Sequence, residues 1–421
     1  MSSVGEVGGV QPTGPRDEVT RVHEERVAFV LEMARALHAY GTPAHRLEET
    51  LTLVADQLGL EGQFFSTPTS IFSSFGTLVT QRTHLLRVEP GAPDLGRLGR
   101  VDEVMQEVIA RRLSPAEGVR EIQAIERAPD RFAGPARVVA YGLASGAAAI
   151  FFGGNLRGWA VAALLGVLVG LVERLAVRHR AWNRVETPLA AFTAGAVATL
   201  LGITWGGFSV STAILSGLIV LLPGMMLTTA MTELSTRHLA SGTARLTGAF
   251  SVFLGLGFGV ALGTRLIVAV LGPAPLVATP DLPWYWEWIA VVISSVSYLA
   301  LLKAEPRDFP GIVLAGALAL AGSRAGSAFF GPELGVMLGA LTVGLGANLY
   351  ARFAGRPATI PTVPGVLILV PGSVGFRSVA DLLDREVITG VETAFRMILM
   401  AVALAAGLLL ARVISPERRM R

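Results

Sequence analysis

The apolar residues of this chain are gathered in long runs that short polar stretches separate, and only the first third of the chain departs from this pattern. A membrane-spanning helix needs about 20 mostly apolar residues, because the hydrocarbon core is about 30 Å thick and a helix rises about 1.5 Å per residue. By this measure ten segments are predicted to span a membrane, of which the seventh and ninth are short. They are Val138–Phe152, Trp159–Ala176, Pro188–Ile203, Ser209–Met231, Thr243–Leu271, Trp284–Leu302, Phe309–Ala321, Leu334–Tyr350, Pro361–Phe376 and Val391–Val413.

The first third of the chain mixes two kinds of pattern. Helical spacing of apolar positions predicts helices at Arg26–Ala39 and Ala44–Leu58, and the stretches QFFSTPTSIFSSF and THLLRV are typical of β-structure. A second helical pair is predicted at Val101–Arg111 and Ser114–Glu126, the latter opened by the capping box Ser-Pro-Ala-Glu. The predicted fold class is an α-helical polytopic membrane protein that carries a small α+β domain at its N-terminus.

The changes of pattern predict five parts in the chain. They are a disordered tail over residues 1–20, a cytoplasmic α+β domain over 21–135, five-helix membrane halves over 136–271 and 284–414, and a basic tail over 415–421. The first twenty residues contain no apolar core of signal-peptide length, so the α+β domain is expected to stay in the cytoplasm.

Composition narrows the function classes. Hydrophobic residues make up 52% of the chain and charged residues 16%, against about 25% charged residues in ordinary soluble domains. A formal net charge of +3, explained by arginines in loops, gives no reason to expect a nucleic-acid partner. The chain has no cysteine and its His residues are scattered, so neither a disulfide nor a thiolate metal site is expected, and no metal or cofactor is predicted.

Lys and Arg in short loops indicate orientation, because such loops are retained on the cytoplasmic side. With the N-terminus inside, the loops that would face the cytoplasm hold Arg174, Arg178, Arg180, Arg184, Arg237, Arg245, Lys303, Arg307, Arg352 and Arg356, and the tail holds Arg418, Arg419 and Arg421. The opposite loops hold only Arg157, Arg324, Arg377 and Arg385. Both termini are therefore expected in the cytoplasm of a bacterial inner-membrane protein, with the loop around Asp281 outside.

An internal repeat links two of the predicted spans. The stretch GLIVLLPGMMLTTAMTELSTRHLASG, Gly217–Gly242, aligns without a gap on GVLILVPGSVGFRSVADLLDREVITG, Gly365–Gly390. The offset of 148 residues pairs Pro-Gly with Pro-Gly, Glu233 with Asp381, and Arg237 with Arg385. Because the copies lie in the fourth and ninth spans, they must cross the bilayer in opposite directions. The repeat therefore predicts two inverted five-helix halves.

Both copies contain a Pro-Gly pair near the predicted midplane. Proline removes a backbone donor and clashes with the preceding turn, so both helices are expected to break there. The helices that restart would point unpaired amides and the positive ends of their dipoles at a shared central cavity, which favours a carboxylate. The predicted substrate-binding residues are Pro223, Gly224, Met225, Thr228, Thr229, Pro371, Gly372 and Ser373. The alternatives are that Pro-Gly only kinks packed helices and that the hydroxyls only serve helix packing.

The acids of the two copies are predicted to act as gates or proton carriers. Glu233 would lie toward the cytoplasm and Asp381 toward the outside, and carboxylates within membrane helices are costly and usually retained for function. The alternative is that each caps its helix at the interface and pairs with the arginine four residues on, Arg237 or Arg385.

One group of residues in the first domain could suggest acid–base chemistry. His45, Arg46 and Glu48 lie close together in the sequence, but a helix with charges on its wet face explains them without catalysis. The protein is therefore not predicted to be an enzyme.

Several motifs together resemble a known family. YGTPAHRLEETL, FFSTPTSIFSSF and LSPAEGVREIQAIERAPDRF are similar to the N-terminal signature of the bacterial and fungal threonine/serine exporters, and the LLPG and LVPGS segments resemble its membrane half. The resemblance covers nearly the whole chain from about Arg21. It implies ten spans, a cytoplasmic N-terminal domain, and export of threonine and serine driven by the proton-motive force.

The partners expected on this basis are a small amino acid, protons and the lipid bilayer, with a second copy of the chain as a candidate. Some bacteria split this family into two polypeptides associated with succinate export, so a dicarboxylate exporter stays an alternative. A membrane-anchored sensor or hydrolase that acts through the first domain is the other alternative.

Overall fold

A computed structural model describes residues 15–89, 91–178, 182, 185–275, 277, 282–369, 372–383 and 385–415. The chain divides into two compact units. The N-terminal unit holds the chain up to Gly91 together with Arg100–Ala128, and the membrane unit holds Ala92–Gly99 together with the chain from Pro129. Some residues on which predictions were based lie outside the described residues; they are Arg180, Arg184, Asp281, Pro371, Arg418, Arg419 and Arg421.

The N-terminal unit has the predicted mixture of helices and strands. Its elements are α1 (Pro15–Ala39), α2 (Ala44–Gln57), β1 (Gly62–Thr67), β2 (Ser70–Phe75), β3 (Arg82–Arg87), α3 (Leu95–Ile109) and α4 (Pro115–Arg127), of which α3 begins in the membrane unit. The strands form an antiparallel sheet in the order β1-β2-β3. The predicted capping box is confirmed, because the Ser114 hydroxyl accepts from the Glu117 amide and the Glu117 carboxylate accepts from the Ser114 amide.

Helix α1 corrects one prediction. Residues 15–20, predicted to belong to a disordered tail, are helical. Pro15 is the first helical residue, a position that proline favours. The stretch carries no apolar periodicity, so hydrophobic spacing placed the helix start too late.

The membrane unit consists of helices. They are α5 (Pro135–Phe151), α6 (Leu156–Arg178), α7 (Glu186–Thr204), α8 (Val210–Gly217), α9 (Gly224–Ser235), α10 (Leu239–Leu271), α11 (Tyr285–Leu301), α12 (Phe309–Phe330), α13 (Pro332–Ala354), α14 (Thr359–Leu369), α15 (Gly372–Leu383) and α16 (Val387–Ile414). Within the described residues, seven helical stretches are long and apolar enough to cross a membrane, counting α14 and α15 as one. Helices α5 and α11 are apolar but shorter. A helical multi-pass membrane protein is therefore confirmed, while ten spans stay a prediction.

Three predicted segments differ from the observed helices. The seventh was expected to be short and to end at Ala321, but α12 continues to Phe330. Its last turns contain glycines, serines and Arg324, which lower the hydropathy without ending a helix. The fourth segment is divided into α8 and α9. The ninth, expected to be short, continues through α15 to Leu383, beyond the predicted end at Phe376.

Small residues let the membrane helices approach one another closely. Helix α7 packs on α10 and α13 packs on α16. A Cβ atom on Gly195 of α7 would lie 2.7 Å from the carbonyl oxygen of Val260 in α10, so only a glycine fits there. Close packing of backbones is the usual substitute for a hydrophobic driving force between helices in lipid.

Candidate functional site

The first Pro-Gly pair lies where a helix is interrupted, as predicted. Helix α8 ends at Gly217, residues 218–223 form turns, and α9 begins at Gly224 with Pro223 as its N-cap. The first amide of this helix start that bonds backward is that of Leu227, which donates to the Pro223 carbonyl. Among the described residues, none accepts a hydrogen bond from the amides of Gly224, Met225 or Met226. These are the unpaired donors that a helix start presents.

The second Pro-Gly pair cannot be compared in the same way. Helix α14 is described to Leu369 and α15 from Gly372, and residues 370–371 between them lie outside the described residues. The stretch Thr359–Leu383 as a whole is long and apolar enough to cross a membrane. The predicted break at Pro371 therefore stays a prediction.

The start of α9 touches Gly372. A Cβ atom on Gly372 would lie 3.2 Å from the Leu222 Cβ and 3.3 Å from both the Cα and the N of Gly224. The structure therefore brings Gly224 and Gly372 together, with no room for a ligand between their backbones. Helix α9 directs the positive end of its dipole toward this contact, which makes the neighbourhood favourable for an anion.

The predicted hydroxyl residues differ in what their side chains do. The buried Thr228 donates to the Gly224 carbonyl at 3.2 Å, so its proton serves its own helix. No described residue forms a hydrogen bond with the hydroxyl of Thr229, which is buried, or of Ser373, which is half-buried. Thr229 and Ser373 are therefore better placed than Thr228 to donate to a ligand. Met225 is half-buried and Pro223 is buried.

Glu233 is buried and ion-paired. Its side chain has no solvent exposure, and its two carboxylate oxygens lie 3.2 and 3.1 Å from Nε of Arg245 in α10. The sequence alternative placed it at the interface with Arg237 as partner. The ion pair instead reaches across to the next helix, since Glu233 points into the unit. Arg245 was read only as a loop charge, and nothing in the spacing of the two residues indicates the contact.

Asp381 has a different environment from Glu233. It is half-buried, and no described residue forms an ion pair with its carboxylate. The alternative that paired it with Arg385 is therefore not what the described residues show.

Arg237 and Arg385, which were expected to pair with the acids, instead lie in turns of matching geometry. Arg237 and Arg385 adopt the left-handed conformation, with φ of 66° and 69°. The next amide donates back to the acid's carbonyl in both copies, from His238 to Glu233 at 2.8 Å and from Glu386 to Asp381 at 2.9 Å. This is the usual way of satisfying carbonyls at a helix end. The same turn geometry thus occurs at two positions related by the offset of the sequence repeat, so the repeat extends to the backbone.

Sequence reasoning missed a buried ionic cluster between α12, α13 and the start of α14. Asp308, fully buried, accepts from the Tyr350 hydroxyl at 2.8 Å and from Nη2 of Arg356 at 2.9 Å. Arg356 also lies 3.1 Å from Glu305. A buried arginine costs free energy unless it is paired, so these contacts fix the turns between the helices. Arg356 was interpreted only as a loop charge because it flanks an apolar run, and Asp308 was not singled out.

The residues suspected of acid–base chemistry have structural partners. His45 is buried, and Oε1 of Glu48 accepts from the Ser66 amide at 2.7 Å, which ties α2 to β1. They were expected on a wet helix face, but the sheet packs there. Nothing in these contacts indicates catalysis.

Comparisons with known proteins cover most of the chain. A family model described as "Putative threonine/serine exporter" matches residues 28–267, and one described as "Threonine/Serine exporter" matches residues 287–414. No solved structure matches the chain.

Similar proteins are found among fungal proteins. An uncharacterised protein of Schizosaccharomyces pombe is 28% identical over 365 residues, which are 82% of this chain and 47% of the relative. Pheromone-regulated membrane protein 10 is 26% identical in Eremothecium gossypii, over 84% of this chain and 49% of the relative, and 26% identical in Candida glabrata, over 88% and 49%. The chain spans about half the length of these relatives. With both family models matched along its length, the chain belongs to the threonine/serine exporter family.

Proposed function

We propose that this protein is a secondary active exporter of threonine and serine, driven by the proton-motive force across a bacterial inner membrane. The observation that carries the proposal is the contact of Gly372 with the start of α9 at Gly224. Free amides at a helix start bind a carboxylate without a cationic side chain. The ammonium and hydroxyl of the substrate would then reach Thr229 and Ser373.

The proposed architecture has ten spans in two inverted halves, over residues 136–271 and 284–414, after a cytoplasmic domain over 21–135. The helix break before Gly224, the matching turns at Arg237 and Arg385, and the corresponding packing partners of α9 and α15 support it. Helix α9 packs on α16 of the other half, and α15 packs on α10 in the corresponding way. Transporters built from such halves place the substrate at the repeat interface.

Alternating access requires the contact between the helix starts to open. In the described conformation the glycines touch, so the site is closed. Separation of α9 from α15 would expose the amides of Gly224 and Met225 to one side of the membrane at a time. Asp381, with which no described residue forms an ion pair, is then proposed to exchange the coupling proton at the outer side. Glu233 would take up the proton only when its pair with Arg245 opens.

Counterflow in proteoliposomes tests this proposal. Purified protein is reconstituted, loaded with unlabelled substrate, and assayed for uptake of labelled amino acids and dicarboxylates, with and without an imposed proton gradient. We expect threonine and serine to exchange and net export to collapse when the gradient is removed. Exchange of succinate alone would identify a dicarboxylate, and not threonine or serine, as the substrate. No exchange of any compound would favour the sensor or hydrolase alternative.

A further inference from the structure

A short segment at the start of α3 is built into the membrane unit. The segment Ala92–Gly99 belongs to this unit, although the chain continues from it into the N-terminal unit. The Leu95 amide donates to the Leu302 carbonyl at 2.9 Å, and the Gly96 amide donates to the Lys303 carbonyl at 3.2 Å. The amides of a helix start, which lack partners in their own helix, are thus satisfied by the turn after α11.

Charges hold the same segment in place. Nζ of Lys303 lies 3.9 Å from the carboxylate of Asp94 and 2.7 Å from that of Asp130. Asp94 is buried and also accepts from the Arg97 amide at 2.9 Å. Burial raises the pKa of the Asp94 carboxyl, although the Arg97 amide and the Lys303 charge oppose this shift. Burial also acts to raise the pKa of Asp130, but hydrogen bonds from Lys303 and the Phe132 amide outweigh it, and the pKa is lowered.

Two glycines allow this close approach. A Cβ atom on Gly96 would lie 2.5 Å from the Lys303 carbonyl oxygen, and one on Gly99 would lie 2.7 Å from Nη2 of Arg356. Any larger residue at Gly96 would push the segment away from the turn. The segment therefore fits against α11 and the Arg356 cluster only with these residues.

Leu95 connects the segment to the candidate site. It is fully buried in an apolar cluster, and Met225, the second residue of α9, packs against this cluster. The buried members of the cluster are Leu95, Leu302, Ala304, Ile312, Ile360 and Val363. The cluster thus extends from the turn after α11 to the helix start at which the substrate is proposed to bind. It lies on the side where α11 ends and α14 begins.

We propose that Ala92–Gly99 is the cytoplasmic gate of the transport path, with Leu95 as the side chain that closes the way to Met225. Substrate would enter from the cytoplasm only when the segment leaves the turn at Lys303. The segment continues directly into the rest of α3, which belongs to the N-terminal unit. The role of the gate rests on the proposed transport function, but the experiment that tests the gate does not measure transport.

Accessibility of a single cysteine at position 225 tests the gate without any transport assay. The chain contains no cysteine, so Met225→Cys in the full-length protein reacts alone with a membrane-impermeant maleimide. Labelling is timed in inside-out vesicles and in intact cells. Three variants loosen the segment by different means: Leu95→Ala removes the closing side chain, Gly96→Ala adds a clash, and Lys303→Gln removes ion pairs. Gly118→Ala is the matched control, since its Cβ would crowd Phe29 within the N-terminal unit.

We expect each gate variant to speed labelling from the cytoplasmic side at least about tenfold, equivalent to about 1.4 kcal/mol, and the control to leave the rate unchanged. Unchanged rates in Gly96→Ala and Lys303→Gln, with the protein still monodisperse, would overturn the gate. Faster labelling from the outer side would overturn it too. If counterflow failed for every substrate while labelling accelerated as expected, the proposed function would fall and the gate would stand.

Discussion

At the scale of single residues, the contact of Gly224 with Gly372 leaves space for hydrogen atoms only. Gly372→Val should therefore wedge α9 and α15 apart and lower the counterflow rate. Overpacking of this kind costs about 1–3 kcal/mol, and a transport barrier raised by the middle of that range would slow counterflow about thirtyfold. The control is Gly255→Val in α10, where a Cβ atom would have only Pro188 within reach, at 4.0 Å. Equal counterflow in the two variants would show that the contact has no part in transport.

The two acids give a second prediction, because their surroundings differ. Glu233→Gln leaves the mostly buried charge of Arg245 without its partner. This variant should therefore have a lower unfolding temperature in detergent than the wild type. The double variant Glu233→Gln/Arg245→Gln should regain the wild-type unfolding temperature. Asp381→Asn breaks no described ion pair and should leave the unfolding temperature nearly unchanged while it abolishes the pH dependence of export. Normal pH-dependent export by Asp381→Asn would make this acid a helix cap.

At the scale of elements, the interruption between α8 and α9 is the feature to remove. Replacing Pro223 and Gly224 by alanines should re-form a continuous helix and bury the free amides. Each lost charge-assisted hydrogen bond is worth about 1.5–3 kcal/mol, so affinity for the substrate should fall at least about tenfold. Calorimetry in detergent measures this, with Pro332→Ala, at the first position of α13, as the control. Wild-type affinity in a well-folded variant would remove the central site and leave a kink.

The sequence located the elements better than it located their contacts. Apolar runs placed the membrane helices, because lipid exposure and length are both encoded in local hydropathy. The same measure ended α12 nine residues early, at Ala321 rather than Phe330, because a helix end depends on backbone bonds rather than on hydropathy. The internal repeat predicted the break at Pro223, since proline acts locally.

Long-range packing could not be predicted from the sequence. The pair of Glu233 with Arg245 and the pair of Asp308 with Arg356 join residues 12 and 48 positions apart. Arg245 and Arg356 each looked like an ordinary loop residue, and Glu233 was predicted to act as a gate or proton carrier, or to pair with Arg237. The left-handed conformation of Arg237 and Arg385 could not be predicted either, because arginine has no preference for this conformation.

At the scale of the whole molecule, orientation is the prediction that every mechanistic step depends on. Single cysteines replace Arg178 and Asp281 in the cysteine-free chain, and impermeant maleimide is applied to intact cells and to inside-out vesicles. We expect position 178 to react only in inside-out vesicles and position 281 only in intact cells, since basic loops stay in the cytoplasm. Labelling of position 178 in intact cells would invert the assigned sides of Glu233 and Asp381.

The contact of Gly372 with the start of α9 also bears on how the chain is made. Because α9 precedes α15 in the chain, α9 is synthesised first, and until α15 is in place Gly372 does not cover the start of α9. Lipid offers the amides after Pro223 no hydrogen bond. We therefore expect a chain truncated before α14 to be less stable in the membrane than the full chain.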